Sequence, residues 1–213
     1  MRHDVILDCV THHSSLSMAY EAKKFTLPSL EGISDESVKQ HIGLYEGYVK
    51  NFNALSALMP ELAQDMEKNA HPLSEVIRRR SFEFDGMRLH EYYFEQLEGG
   101  PSAMPASGKF HDALMKEYGK PEHLEPYMKG IGNIRGPGWA ILYWDPIGKT
   151  FLAGFAGEQH QGHFATLPIV LALDVWEHCF LLDYGASGKG KYLDAFFKNL
   201  NWGVIEKRFE AIA

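Results

Sequence analysis

Cysteine is nearly missing from this chain. Cys9 and Cys179 are the only two in 213 residues, which excludes a disulfide framework. Long apolar runs are missing too. The longest, Phe164 to Leu173, is interrupted by Thr166 and Pro168 and is too short to span a bilayer. A secretory signal is not evident, because Met1-Arg2-His3-Asp4 leads into a brief apolar patch broken at Asp8. Positive charge is scarce: 21 Lys and Arg against 28 Asp and Glu leave a net charge of −7. That balance argues against a nucleic-acid or membrane-surface binder. These absences lead us to expect a soluble, cytoplasmic protein.

What is present is an ordinary globular composition with one surplus. Apolar residues make up 45% and charged residues 23%, which rules out a disordered or low-complexity chain. The surplus is eleven histidines. Imidazole is the commonest metal ligand and the usual proton carrier near neutral pH, so the question is which of the eleven converge.

Residues 1–23 show no clean period and read as an N-terminal tail, although Cys9, His12 and His13 form a loose cluster within it. Ser34-Asp35-Glu36 reads as a helix start, with a capping hydroxyl followed by acids in the first turn. The spacing predicts a helix to about Leu58, stopped by Pro60, with His41, Tyr45, Tyr48, Phe52 and Leu55 on one face. A second helix is predicted from near Ser74 to Gly99-Gly100, with Met87, His90, Phe94 and Leu97 on its inner face and Gly86 one turn before His90. Two short helices follow around 110–118 and 121–130. Strand patterns cover 139–144, 151–156 and 169–173, with a turn at Asp145-Pro146-Ile147-Gly148, and helix signals resume from Tyr192 to the end. The expected fold class is α+β: an antiparallel helical hairpin over 24–104, then a mixed α/β domain over 105–213 with a small three-stranded antiparallel sheet.

The segment Asp174-Val175-Trp176-Glu177-His178 carries the most chemistry. It leaves an apolar strand, and a carboxylate and an imidazole four residues apart can converge on one ion where the chain turns. Beside an apolar run these groups need each other, a metal or water. His41 and His90 each interrupt an otherwise apolar helix face. A lone histidine there is ordinarily a core residue bonded to backbone. Three histidines and one carboxylate, all turned inward, instead fit a redox-capable first-row ion. A structural zinc site would more often use thiolates, and the one nearby, Cys179, follows His178 directly and should point away.

These residues resemble the iron/manganese superoxide dismutases. Asp174-Val175-Trp176-Glu177-His178 stands as that family's DVWEH signature. Phe25-Thr26-Leu27-Pro28-Ser29-Leu30 resembles its opening. His41-Ile42-Gly43 through Tyr48-Val49-Lys50-Asn51-Phe52-Asn53 resembles its first ligand helix, and Gly86-Met87-Arg88-Leu89-His90 its second. Gly136-Pro137-Gly138-Trp139 and Asn201-Trp202 complete a match over roughly 24–211.

The resemblance implies dismutation of superoxide to dioxygen and hydrogen peroxide by one manganese or iron ion per subunit. The implied ligands are His41, His90, Asp174 and His178. Tyr48 is the best candidate for a hydroxyl near the substrate path, with Tyr45 second. Trp139 and Trp176 are expected to wall the site. Glu177 is expected to cross a two-fold interface to the partner's His178, in a homodimer or a dimer of dimers. Lys189 and Lys191 are candidates for a positive rim that steers the superoxide anion.

Several features depart from the family pattern. One residue is missing between His41 and Tyr48, where family members carry an insertion, so the helix should lack a π-bulge. Tyr45 stands where the family places a histidine, the loop before the first helix is short, and Leu181 replaces an interface tyrosine. With Gly86 on the second helix, the amide that contacts the solvent molecule at the metal must come from Gly157-Glu158-Gln159-His160-Gln161. Gln159 is the first choice and His160 the second, expected also to fill the volume beside His90. That arrangement resembles the manganese pattern and predicts activity with manganese or with either metal. Two competing readings are a metal-binding protein of the same fold without dismutase activity, and a mononuclear iron oxygenase. The third histidine argues against the latter.

Overall fold

The computed structural model describes residues 19–213, so the Cys9, His12, His13 cluster lies outside the described residues. Helix α1 spans Asp35–Ala63 and α2 spans Ala70–Glu95. Ser34 caps α1, its hydroxyl accepting from Ser37 N at 3.1 Å, with Asp35 and Glu36 in the first turn. The two helices pack against each other as the expected hairpin. Helix α1 is α-helical throughout, so no π-bulge lies between His41 and Tyr48, as expected.

Three helix bounds differ from expectation: the end of α1, the start of α2, and the end of α2, which stops at Glu95 rather than at Gly99-Gly100. Pro60 lies inside α1 and does not stop it, since only the last turn follows and only one backbone bond is lost. Helix α2 begins at Ala70 rather than near Ser74, because Pro72 falls in its first turn, where no N–H is needed.

Helices α3 (Lys109–Tyr118) and α4 (Leu124–Gly132), the latter entered through a 3₁₀ turn at Pro121–His123, lead into the sheet. Strands β1 (Trp139–Asp145), β2 (Thr150–Ala156) and β3 (Ile169–Asp174) form an antiparallel sheet in the order β2-β1-β3. Trp139 pairs with Ala156 on one side and Asp174 on the other. That register gathers the Trp139 indole, the Asp174 carboxylate and the loop leaving Ala156 at one end of the sheet. Gly138 makes this end possible: its φ is 145°, and a Cβ there would strike the Ala156 carbonyl.

After β3 a 3₁₀ turn at Glu177–Cys179 leads into the short α5 (Leu181–Tyr184), then α6 (Lys189–Lys198) and α7 (Trp202–Glu210). The helical pattern from Tyr192 onward is thus broken in two. Asn201 caps α7, its side chain accepting from Gly203 N at 3.1 Å. One continuous core joins Met87, Phe94 and Leu97 of the hairpin half to Ile141, Leu171 and Phe196. Beneath it, the buried Gln96 amide bonds the main chain of Ala172, tying the end of α2 to β3. Among the described residues no helix is long and apolar enough to cross a membrane.

Candidate metal centre

Four side chains from three places in the chain meet at the Asp174 end of the sheet. The Nε2 atoms of His41 and His178 each lie 3.2 Å from Asp174 Oδ2, and His90 Nε2 lies 3.6 Å from the same oxygen. One ligand atom from each of the four falls within 4.8 Å of all the others. His41 and His90 arrive from facing helices, and Asp174 and His178 from a strand end and the turn after it. The Asp174 carboxylate is anchored by Trp176 N, which donates to Oδ1 at 2.9 Å. The strand end itself is held by the Tyr192 hydroxyl, which donates to the Asp174 carbonyl at 2.8 Å and meets the Tyr93 hydroxyl at 3.2 Å.

The donor set passes a direct test for an ion. His90 Nδ1 donates to the Gly86 carbonyl at 2.6 Å, which leaves Nε2 facing inward, fully buried and without any hydrogen-bond partner. A buried, unpaired imidazole nitrogen beside a carboxylate is costly unless a cation takes it. Separations of 3.2 and 3.6 Å are those of neighbouring ligands held about 2.1 Å from a shared ion.

The electrostatics agree. Burial lowers His41 and takes His90 down to about 3, so both imidazoles are neutral and ready to ligate. Burial alone would raise Asp174, but the charge and hydrogen bond of His178, followed by those of His41, hold it well below the usual carboxylate range. Burial opposes charge on His178 as well, and Asp174 outweighs it and raises that pKa. Cys179 stays outside the group of four, with its thiol pushed well up by burial and by the Asp174 charge.

Around this cluster the expected residues separate. Trp139 is fully buried, its ring edge-on to His90 at 5.1 Å, and Trp176 stacks on His178 at 6.4 Å, so both wall the site. The Tyr48 ring lies 5.0 Å from His90, and its hydroxyl accepts from Gln159 Nε2 at 2.9 Å. Gln159 is fully buried, and its Oε1 accepts from Trp139 Nε1 at 2.7 Å. Burial, and then the Asp174 charge, raise the Tyr48 pKa, so its hydroxyl keeps its proton.

The volume beside Gly86 is not filled by a side chain of the 157–161 loop. The Tyr48 ring occupies it, and a Cβ on Gly86 would come within 2.5 Å of Tyr48 Cδ1. Gln159 reaches the outer end of that ring instead.

His160 does not join this group. It lies edge-on to Phe82 at 5.6 Å, with Glu158 3.7 Å away. Tyr45 is also turned elsewhere. Its hydroxyl accepts from Lys23 N at 2.8 Å and donates to Glu91 Oε1 at 3.2 Å, and burial pushes its pKa up to about 12. It holds the segment before α1 against the hairpin. Lys189 has a structural role, donating to the carbonyls of Ile134 and Gly136, while Lys191 is exposed. Glu177 is exposed beside the partly exposed His178.

Sequence reasoning missed Tyr93 and Tyr192. Their only signal was a position on an apolar helix face, where a tyrosine is ordinarily read as packing.

The model of the family described as iron/manganese superoxide dismutases, C-terminal domain, matches residues 106–208. A superoxide dismutase [Fe] of Cupriavidus metallidurans is 32% identical over 200 residues, covering 91% of this chain and 98% of the relative. A superoxide dismutase [Fe] of Saccharolobus solfataricus is 27% identical over 207 residues, covering 92% and 98%. A superoxide dismutase [Mn] of Haloarcula marismortui is 27% identical over 168 residues, covering 78% and 79%.

Proposed function

Since this chain belongs to the iron/manganese superoxide dismutase family, we propose that His41, His90, Asp174 and His178 are the ligands through which it works. The protein is a superoxide dismutase with one iron or manganese ion per subunit, converting superoxide to dioxygen and hydrogen peroxide. The observation that carries the ligand assignment is the orphaned His90 Nε2 beside the Asp174 carboxylate.

Bound there, an iron or manganese ion supplies the one-electron couple that lies between the two superoxide half-reactions. The chain supplies the rest. Three neutral imidazoles and one carboxylate set the charge the ion experiences. Trp139 and Trp176 keep bulk water from the ligands, which strengthens every polar contact inside. Reducing superoxide to peroxide consumes protons, and the Tyr48 hydroxyl, held by the Gln159 amide on a ring packed beside His90, is the group that keeps one near the site. The combination of Gly86 with a donor from the 157–161 loop favours activity with manganese or with either metal.

The test is elemental analysis of the purified protein, paired with turnover after reconstitution with each metal. About one ion per chain and dismutation with manganese or iron are expected. Full metal occupancy in His41→Ala would sink the ligand assignment, since His41 sits in the helix that departs most from the family pattern. Dismutation, once measured, also separates the enzyme from a metal-binding relative without activity.

A homodimer is the second part of the proposal. Glu177 is exposed beside His178, and Leu181 and Leu182, which follow shortly after in the chain, are each about half exposed. Glu177 would bond the partner's His178 across a two-fold axis, alone or within a dimer of dimers. A monomer in sedimentation with activity intact would remove Glu177 from this role.

A further inference from the structure

Gln159 must be placed accurately while standing on an irregular loop. The chain between Ala156 and Ile169 has no helix or strand, and such loops are ordinarily the mobile parts of a fold. Yet the Gln159 side chain must meet Trp139 and Tyr48 together. Something outside those two contacts has to fix its backbone.

The imidazole of His163 stands at that backbone. His163 Nε2 lies 2.8 Å from the Gln159 carbonyl, and Nδ1 lies 2.8 Å from the Tyr143 hydroxyl. The chemistry of the carbonyl settles the tautomer. A carbonyl only accepts, so Nε2 carries the hydrogen; in the neutral imidazole Nδ1 is then bare, and the Tyr143 hydroxyl donates to it. Tyr143 lies in β1, the central strand, paired with Leu152 on one side and, next to a register shift, with Ile169 on the other, so the far end of this chain of bonds is held in the sheet. The loop is also tight at this point: Gly162 takes a φ of 90°, and a Cβ there would sit 3.0 Å from the Phe155 carbonyl.

We propose that His163 is the positioning residue for Gln159. By bridging the Tyr143 hydroxyl to the Gln159 carbonyl, it ties the loop to the central strand, so that the Gln159 amide holds Trp139 and Tyr48 at once. His163 touches neither substrate nor ligands. It acts through Gln159, and so rests on the reading of Gln159 as the polar donor of the site.

Trp139 provides a readout that does not depend on turnover. Its indole N–H donates to Gln159, so its hydrogen exchange and its resonance report directly on the amide. The experiment uses the full chain loaded with diamagnetic zinc, with the Trp139 indole assigned from Trp139→Phe. His163→Leu should speed exchange of this N–H roughly five- to tenfold, the loss of about one hydrogen bond, and shift its resonance. The indoles of Trp144, Trp176 and Trp202 should be unchanged. His163→Gln should restore the wild-type values, because its amide can donate to the carbonyl while its oxygen accepts from Tyr143. Tyr143→Phe removes a single oxygen and should give a smaller change in the same direction, which keeps the test intact if the Leu variant does not fold.

Unchanged Trp139 exchange in both His163→Leu and Tyr143→Phe would overturn the proposal. So would a change spread equally over all four indoles, or one that Gln fails to rescue. The companion variant Gln159→Ala separates the two readings. If it releases the Trp139 indole but leaves the reduction potential of the manganese- or iron-loaded protein unmoved, the donor reading of Gln159 fails. The His163 assignment is then judged on the indole alone.

Discussion

The hairpin half and the sheet half each contribute two residues to the proposed ligand set, but by different means. His41 and His90 are single residues on helices of 29 and 26 residues, placed by helical phase and sealed at 5% and 0% side-chain exposure. Asp174 and His178 lie four residues apart at a strand end and in the turn after it, and His178 keeps 23% of its side chain exposed. A long helix presents its residue by phase alone, as α1 does for His41. At the strand end the spacing is set by the turn itself. The buried pair therefore depends on long-range packing and the turn pair on local sequence.

The largest effects should come from breaking the ligand sets themselves. Asp174→Ala removes the carboxylate shared by all three imidazoles. It should weaken metal retention by well over the ~100-fold that losing an outer hydrogen-bond partner costs. His90→Ala should be nearly as severe, since it leaves a sealed void that nothing replaces. His178→Ala opens onto solvent, so water can take the vacated position, and more metal should stay. Elemental analysis of the three variants after equal dialysis checks the order. If His178→Ala loses more metal than His90→Ala, the contrast drawn between sealed and open ligands is wrong.

Next in size is the contact between the halves. Gln159→Ala leaves the Trp139 indole and the Tyr48 hydroxyl without their partner. Activity should fall about 10- to 100-fold, with a shifted reduction potential, while metal content is nearly kept. Stopped-flow turnover together with redox titration measures it. His160→Ala should do neither, since the structure leaves His160 outside the Tyr48 group.

Gly86→Ala tests the hairpin alone. The added Cβ would meet the Tyr48 ring at 2.5 Å, a distance real contacts do not show, so the ring or the helix must move. Overpacking of this kind costs about 1–3 kcal/mol. Denaturant unfolding of the metal-free protein should show the loss, and an unchanged midpoint would mean that the ring moves aside freely.

The two halves also differ in how far the sequence reveals them. The turn pair is legible because five consecutive residues carry it. His41 and His90 are legible through helical period, as are the three strands and the hairpin. Gln159 can be placed by its distance from the end of β2. The occupant of the space beside Gly86 cannot, because the ring that fills it belongs to Tyr48 on the opposite helix, and no local pattern encodes how far a ring reaches across a helix pair. The same holds for Tyr192, whose hydroxyl supports the Asp174 carbonyl from 18 residues away, and for Tyr45, whose hydroxyl turns to Glu91 and Lys23 rather than to the site. Pro60 departs from expectation for a different reason. A proline costs a helix one bond, and so close to the end of α1 the loss of one bond is tolerated.

The smallest effect expected lies on the seam between the halves. Asp85, on α2, is half-buried facing His160 and His163 of the loop, with Tyr143 also within its field. Burial raises its pKa, and the two imidazoles pull it back only in part. Because the folded pKa lies above the unfolded one, ionised Asp85 costs stability at neutral pH. That cost disappears as the pH falls through the folded value to below the unfolded one, where both states are protonated. Asp85→Asn removes the charge while keeping the shape. It should raise the midpoint of thermal unfolding by about 1–2 °C at pH 7 and leave it unchanged near pH 3. A calorimetric pH series on the two proteins checks the sign. If the variant is less stable at pH 7, the Asp85 carboxylate is held by the loop histidines more strongly than burial opposes it, and the seam is an electrostatic clasp between the halves rather than a tolerated cost.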